Sequence, residues 1–295
     1  MKLNANIAMI FNEQLSLLIR GDNPQEHEER KRLHQYLAER IGKYIHPNIY
    51  GSLAGRSATD CILNVIIGKV INKKTILKLD VAKAFLNVDV FRLASLLKRF
   101  FAKAAIPEEE QNALINQIFR HFEVKNGKGV RFRGLAQGDI LSSLLFSIFM
   151  TPVFNRFGRR YKVFGYVDDN HIILDKKEDA IAAEEHFIEC LCRNGYYRED
   201  EVGNILGNRQ LFLNDDKRGL SAPDEDTSVL GLIITKDFQL LPRPDRSIST
   251  FLDRADKISK KLFKMKMNDP SVGYYKLLSN LEAISYRRGV AASNG

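Results

Sequence analysis

The chain has little sulfur chemistry to offer. Its 295 residues contain three cysteines, Cys61, Cys190 and Cys192. They cannot all pair, and they lack a four-ligand zinc spacing, which argues against a disulfide framework and a structural zinc site. The Cys-x-Cys pair reads as helix packing. No apolar run approaches the roughly 20 residues that a membrane-spanning helix needs. The first residues carry one early lysine and then Asn4, Asn6, Asn12 and Glu13, a pattern unlike a signal peptide. Internal repeats and long low-complexity segments are also missing. These absences lead to the expectation of a soluble, reduced, cytoplasmic protein.

What is present is positive charge and enough length for two or three packed subdomains. A formal net charge of +9 points to a polyanionic partner, nucleic acid first and an anionic membrane second, although many basic proteins bind neither.

The apolar pattern gives the coarse architecture. "EHEERKRLHQYLAERIGKYI" sets Leu33, Tyr36, Leu37, Ile41 and Tyr44 on one helical stripe. "TILKLDV" reads as a strand with Asp80 near its end, followed by a turn into helix over "AKAFLNVDVFRLASLLKRFFAKA". "HFEVKNGKGVRFRG" predicts a hairpin turning at Asn126-Gly127. "ILSSLLFSIFMTPVFNRF" predicts one buried helix, "VFGYVDDNHIIL" a second hairpin, and "KEDAIAAEEHFIECLCRN" another helix. "TSVLGLIIT" reads as a short strand, and a separate helical segment is expected from about Pro242. Helices mixed with hairpins predict an α+β fold around an antiparallel sheet.

Asp168 and Asp169 stand next to each other between two apolar runs. Turns favour aspartate, so a solvated turn is the plain alternative. The flanking Phe164, Tyr166, Val167, Ile172, Ile173 and Leu174 imply buried strands instead. Partly buried adjacent carboxylates call for a countercharge, which a divalent cation supplies. Magnesium takes few carboxylates together with phosphate oxygens and water, which suits nucleotide chemistry. Asp80, at the end of its own strand, would complete the site; alone, it could equally be a helix N-cap. Two ions about 4 Å apart would activate an attacking 3′-hydroxyl and stabilise leaving pyrophosphate.

"LKLDVAKAF", "GLAQGDILSSLLF" and "GYVDD", in this order and spacing, resemble the A, B and C motifs of reverse transcriptases. "YGSLAGRSATDCI" resembles the fingers motif of their bacterial group II intron and retron branch, and "VLGLII" the primer-grip motif. The resemblance runs from about Pro47 to Ile234. It implies a right-hand polymerase fold, with fingers over 1–74, an antiparallel-sheet palm over 75–241 that carries a fingers insertion near 100–133, and a small helical thumb over 242–295. It further implies that Asp80, Asp168 and Asp169 are catalytic and bind, with Val81, two magnesium ions, or manganese in their place. Phe85 aligns with the aromatic gate against a ribose 2′-hydroxyl, though its ring could also serve the helix core. Gln137 and Gly138 align with residues along the incoming nucleotide and template. Arg56 matches a finger residue that reaches the triphosphate, an exposed ion pair being the alternative. Tyr166, Leu230 and Gly231 match the primer side.

The sequence departs from the family pattern in places. Ala136 and Ser143 stand where prolines are usual. The motif D lysine has two candidates, Lys217 and Arg198, and the basic element of the fingers is reduced to Arg20. A ribonuclease H acid cluster, a Cys/His nuclease tail and the carboxy-terminal retron signature are not visible.

From Arg246 to Lys266 a second pattern emerges. Ile248, Phe251, Leu252, Ala255, Ile258 and Leu262 follow helical spacing, while Arg254, Lys257, Lys260, Lys261 and Lys264 form a basic stripe. In the thumb position such a stripe tracks a template–primer backbone; elsewhere it is a solvated face. Arg131 and Arg133 are further candidates for nucleic-acid contact. The expected function is RNA-directed DNA polymerase, in a retron-like or anti-phage defence setting. An RNA-directed RNA polymerase and an inactive RNA-binding scaffold are the alternatives. Expected partners are an RNA template, a primer and dNTPs, with no membrane. A dedicated non-coding RNA, a protein partner and a homo-oligomer stay open.

Overall fold

A computed structural model of the protein describes residues 24–121, 123–126, 129–132, 134–135, 139–196, 212–265 and 272–293. In chain order the helices are α1 (Pro24–Ile41), α2 (Ala58–Ile66), α3 (Val90–Lys103), α4 (Glu108–His121), α5 (Ile140–Phe157), α6 (Ala180–Arg193), α7 (Ile248–Lys264) and α8 (Val272–Ser293). The strands are β1 (Ile49–Tyr50), β2 (Thr75–Asp80), β3 (Glu123–Asn126), β4 (Gly129–Phe132), β5 (Lys162–Tyr166), β6 (Asp169–Leu174), β7 (Gly219–Ser221), β8 (Thr227–Val229), β9 (Leu232–Ile234) and β10 (Leu240–Pro242). Two compact units result. Met1–Ala54, Ala82–Arg156 and Phe187–Phe212 form the first; Gly55–Val81, Phe157–His186 and Leu213–Gly295 form the second.

Helices dominate the first unit. The expected stripe of α1 buries Leu33, Leu37 and Ile41, with Tyr36 and the following Tyr44 half-buried at its margin. Asp89 caps α3 by accepting from the Arg92 N–H at 3.0 Å, and the helix buries Leu93, Leu97 and Phe101. α5 is the single buried helix that its run of apolar residues predicts. It is the one helix, among the described residues, long and apolar enough to cross a membrane, yet 72% of it is buried inside the protein. Its hydroxyls reach core positions without loss because Ser147 and Thr151 donate to the carbonyls of Ser143 and Ser147, at 2.9 and 2.8 Å. β3 and β4 pair as expected, with Asn126 opposite Gly129. Gly127, and with it the expected Asn126-Gly127 turn, lies outside the described residues.

In the second unit the antiparallel strands run in the order β5-β6-β2-β7. α2 begins with a capping box, in which Ser57 and Asp60 each bond the other's backbone N–H. It continues through a π-helical turn over Ile67–Ile71. A side-chain carbon on Gly68 would lie 2.9 Å from Ile173 Cδ1, so glycine lets this turn approach β6 closely.

The stretch expected as one strand, "TSVLGLIIT", is a hairpin. β8 and β9 pair in antiparallel fashion, and Leu230 and Gly231 turn the chain at φ values of +45° and +85°. Positive φ at both central residues is what the right-handed twist of a two-residue hairpin requires. The leucine concealed this turn in an otherwise apolar run. The segment after Pro242 is helical as expected, and Phe251, Ala255, Ile258 and Leu262 of α7 and Leu277 and Leu281 of α8 share one core with α2, β2 and β8–β10. Ile248, expected on the apolar stripe, is 69% exposed because it begins the helix.

Candidate active site

Register brings two of the acids together. Asp80 at the end of β2 pairs with Asp169 at the start of β6, and Asp169 pairs in turn with Tyr166 of β5. Side chains directly opposite on antiparallel strands share a face. The next pair on that face is Lys78 and His171. The β5–β6 hairpin reverses through Val167 and Asp168, which sets Asp168 at its tip. Val167 adopts φ +57°, a conformation that costs a β-branched residue on the order of 1–3 kcal/mol. The tip is anchored by its backbone, since the Val81 N–H donates to the Asp168 carbonyl at 3.1 Å. Asn170, fully buried, donates to the same carbonyl at 2.8 Å. Asp80 is thus a strand-end acid and not a helix cap.

The charges are partly balanced from within the unit. Asp80 is 2% exposed. Asn214 donates to its Oδ1 at 2.5 Å, and Lys217 Nζ stands 3.3 and 3.1 Å from its two oxygens. This contact and the neighbouring acids raise the pKa of Lys217 above the usual lysine value. Lys78 Nζ lies 3.2 Å from Asp169 Oδ1. That buried oxygen nevertheless has no partner in hydrogen-bonding geometry, so the lysine supplies charge but no directed bond. Burial pushes the Asp168 carboxyl above the ordinary carboxylate range, and the charges of Asp80 and Asp169 add to the shift. Three acids therefore face two lysines, with the buried Asp169 Oδ1 unsatisfied.

A hard divalent cation matches this oxygen donor set. The acids are not assembled as a finished coordination shell: among the described residues no three His, Cys, Asp or Glu side chains stand ready to hold a metal. Asp80 has its oxygens bonded to Lys217 and Asn214. A cleft of about 570 Å³ opens beside Asp169, lined also by Lys78, Lys217, Arg218, Arg243 and Arg246. Asp216, Asp226 and Asp245 line it too, and its cations are paired with carboxylates: Lys78 with Asp169, Lys217 with Asp80, Arg218 with Glu184, and Arg243 and Arg246 with Asp245.

Other expected residues fall elsewhere. Arg56, half-buried, immediately precedes the capping box of α2. Phe85 belongs to the first unit, where its ring lies 5.4 Å from that of Phe146. Gln137 and Gly138 lie outside the described residues, as do Arg20, Arg133, Ala136 and Arg198; Arg131 is in β4. Leu230 and Gly231 form the β8–β9 turn, where a side-chain carbon on Gly231 would come within 3.2 Å of Arg246.

The basic stripe of α7 divides. Arg254 donates to the Leu230 carbonyl at 2.5 Å, and Lys261 pairs with Asp60 at the start of α2. Lys260 forms an i,i+4 pair with Asp256 at 2.8 Å. Lys257 and Lys264 are exposed.

Sequence reasoning missed Lys78, Asn170 and Asn214. Lys78 had a signal: it stands two residues before Asp80, on the same face of an otherwise apolar strand. Asn214 had none, because only folding brings its loop to β2.

A family model described as Reverse transcriptase (RNA-dependent DNA polymerase) matches residues 28–201, more than half of the chain. Among solved structures, telomerase from Candida albicans in complex with the TWJ fragment of telomeric RNA is similar with a TM-score of 0.52 and 13% identity, over 88% of this chain and 47% of that one. Apo telomerase from Candida tropicalis is similar with a TM-score of 0.50 and 12% identity, over 90% of this chain and 51% of that one. The chain spans about half the length of these structures. A search of curated proteins finds no match. At such identities the structural likeness is one of fold: a polymerase fold that mixes helices with antiparallel sheets.

Proposed function

The chain belongs to the reverse transcriptase (RNA-dependent DNA polymerase) family, and from that premise we propose that it extends a nucleic-acid primer with dNTPs on an RNA template. The observation that carries this reading is the cross-strand pair of Asp80 and Asp169 with Asp168 at the adjoining hairpin tip. Asp80, Asp168 and Asp169, with Val81, would hold two magnesium or manganese ions. Such ions, when bound, make the primer 3′-hydroxyl a better nucleophile and stabilise the leaving pyrophosphate. Lys217, whose Nζ stands 3.1 Å from Asp80 Oδ2, would be the proton donor to that leaving group. Arg56 reaches the triphosphate, Phe85 screens its sugar, and Gln137 and Gly138 lie along the nucleotide and template.

On the primer side, Tyr166 and the Leu230–Gly231 turn position the strand, and Arg254 holds that turn in place. Lys257, Lys260 and Lys264 contact the nucleic-acid backbone, while Lys261 secures α7 to α2. In the resemblance-based division, 1–74 serve as fingers, 75–241 as palm and 242–295 as thumb. The fingers motif "YGSLAGRSATDCI" favours the group II intron and retron-like branch, and with it a defence role built on a dedicated RNA.

The test is Asp168→Asn. Loss of one ligand charge should lower primer extension by roughly three orders of magnitude, since several kcal/mol of charge stabilisation depend on it. Circular dichroism should stay that of the wild type. Near-normal extension by the folded variant would remove the assignment.

A further inference from the structure

Tyr196 is buried, 1% exposed, and its position in the first unit is not explained by core filling alone. Its hydroxyl donates to the Ala82 carbonyl at 2.5 Å. Asn87 Nδ2 donates to the same carbonyl at 3.2 Å and lies 3.4 Å from the Tyr196 hydroxyl. Tyr196 also forms a β-bridge with Val88. One residue thus grips both ends of the loop from Ala82 to Val88, and Phe85 sits in the middle of that loop.

The loop is held from other sides as well. The Leu135 N–H donates to the Phe85 carbonyl at 2.7 Å. A side-chain carbon on Gly134 would fall 2.4 Å from the Phe85 and Leu86 carbonyls, so only glycine admits this approach. Lys83 is held at φ +49°, a conformation that persists only where surrounding contacts over-determine it. The Tyr196 ring itself packs against Phe149 and Phe212, at centroid distances of 6.5 and 5.8 Å. A phenylalanine would fill that space equally well. What the hydroxyl adds is a directed bond to the loop.

We infer that Tyr196, assisted by Asn87, is a positioning residue for sugar selection: it fixes the loop whose Phe85 ring meets the nucleotide sugar. This rests on the reading of Phe85 as the sugar gate. A steric gate discriminates only if its ring cannot retreat, because a displacement of well under a carbon radius admits a hydroxyl. The Tyr196 and Asn87 bonds to the Ala82 carbonyl and the Tyr196–Val88 bridge supply that rigidity at the two ends of the loop.

The experiment compares kcat/KM for dNTPs and rNTPs in the wild type, Tyr196→Phe, Phe85→Ala and the double variant. Tyr196→Phe should reduce the dNTP preference by about three- to tenfold, the range that one buried hydrogen bond commands. The change should arise mainly from better rNTP use. In the Phe85→Ala background the same substitution should have little further effect on the preference, as expected for two residues acting through one element. An equal loss with both nucleotides, or an undiminished effect in the absence of Phe85, would make Tyr196 a packing residue and overturn the inference. If Phe85→Ala itself leaves the preference unchanged, the gate reading falls and this inference falls with it. Asn87→Ala provides the same measurement should Tyr196→Phe fold poorly.

Discussion

His171 lies one step along the sheet face from Asp169, fully buried, with neither ring nitrogen hydrogen-bonded. Burial lowers its pKa from 6.5 to about 3, and the Lys78 charge assists. Between those values the unfolded chain binds a proton that the folded chain refuses, so stability is present above pH 6.5 and is lost as pH falls toward 3. His171→Leu should flatten this acid limb and leave stability at pH 8 nearly unchanged or higher. Urea melts at several pH values would measure it. An unaltered acid limb would show that the carboxylates alone set acid sensitivity. Such a neutral imidazole also leaves Lys78 as the cation nearest Asp169 on this face.

At the scale of the element, α7 shows how far a basic stripe can be read from spacing. Five cations were visible in the sequence, but the tasks of two, Arg254 and Lys261, were not, because they depend on partners distant along the chain. Arg254 finds the Leu230 carbonyl and Lys261 finds Asp60, a partner 201 residues away. Changing Lys257, Lys260 and Lys264 together to Gln should weaken template–primer binding at all sequences. It should flatten the salt dependence by roughly 0.9 per lost contact on B-form duplex. A binding titration across salt concentrations decides it, and an unchanged slope would return α7 to the status of a solvated face. The strand ending at Asp80, the acidic hairpin and the apolar α5 were all legible, since periodicity and turn chemistry are local. The β8–β9 turn was not, because Leu230 gives no turn signal and Gly231 alone is ambiguous.

For the whole molecule, the net charge of +9 and the family assignment together predict that nucleic acid stays with the protein at low salt and leaves it at high salt. Sequencing what is retained should yield one dominant RNA, with DNA extended from it, if the proposed dedicated template exists. A featureless mixture of cellular RNA would oppose that part of the proposal. The division into two interleaved units has another consequence, in the order of synthesis. Asp80 leaves the ribosome well before its cross-strand partner Asp169, and Asn214 and Lys217, which hold its carboxylate, come later still. During that interval β2 has neither of its neighbours, β6 and β7. The centre is therefore assembled late, and a product that stops short of residue 214 lacks both groups that hold the Asp80 carboxylate.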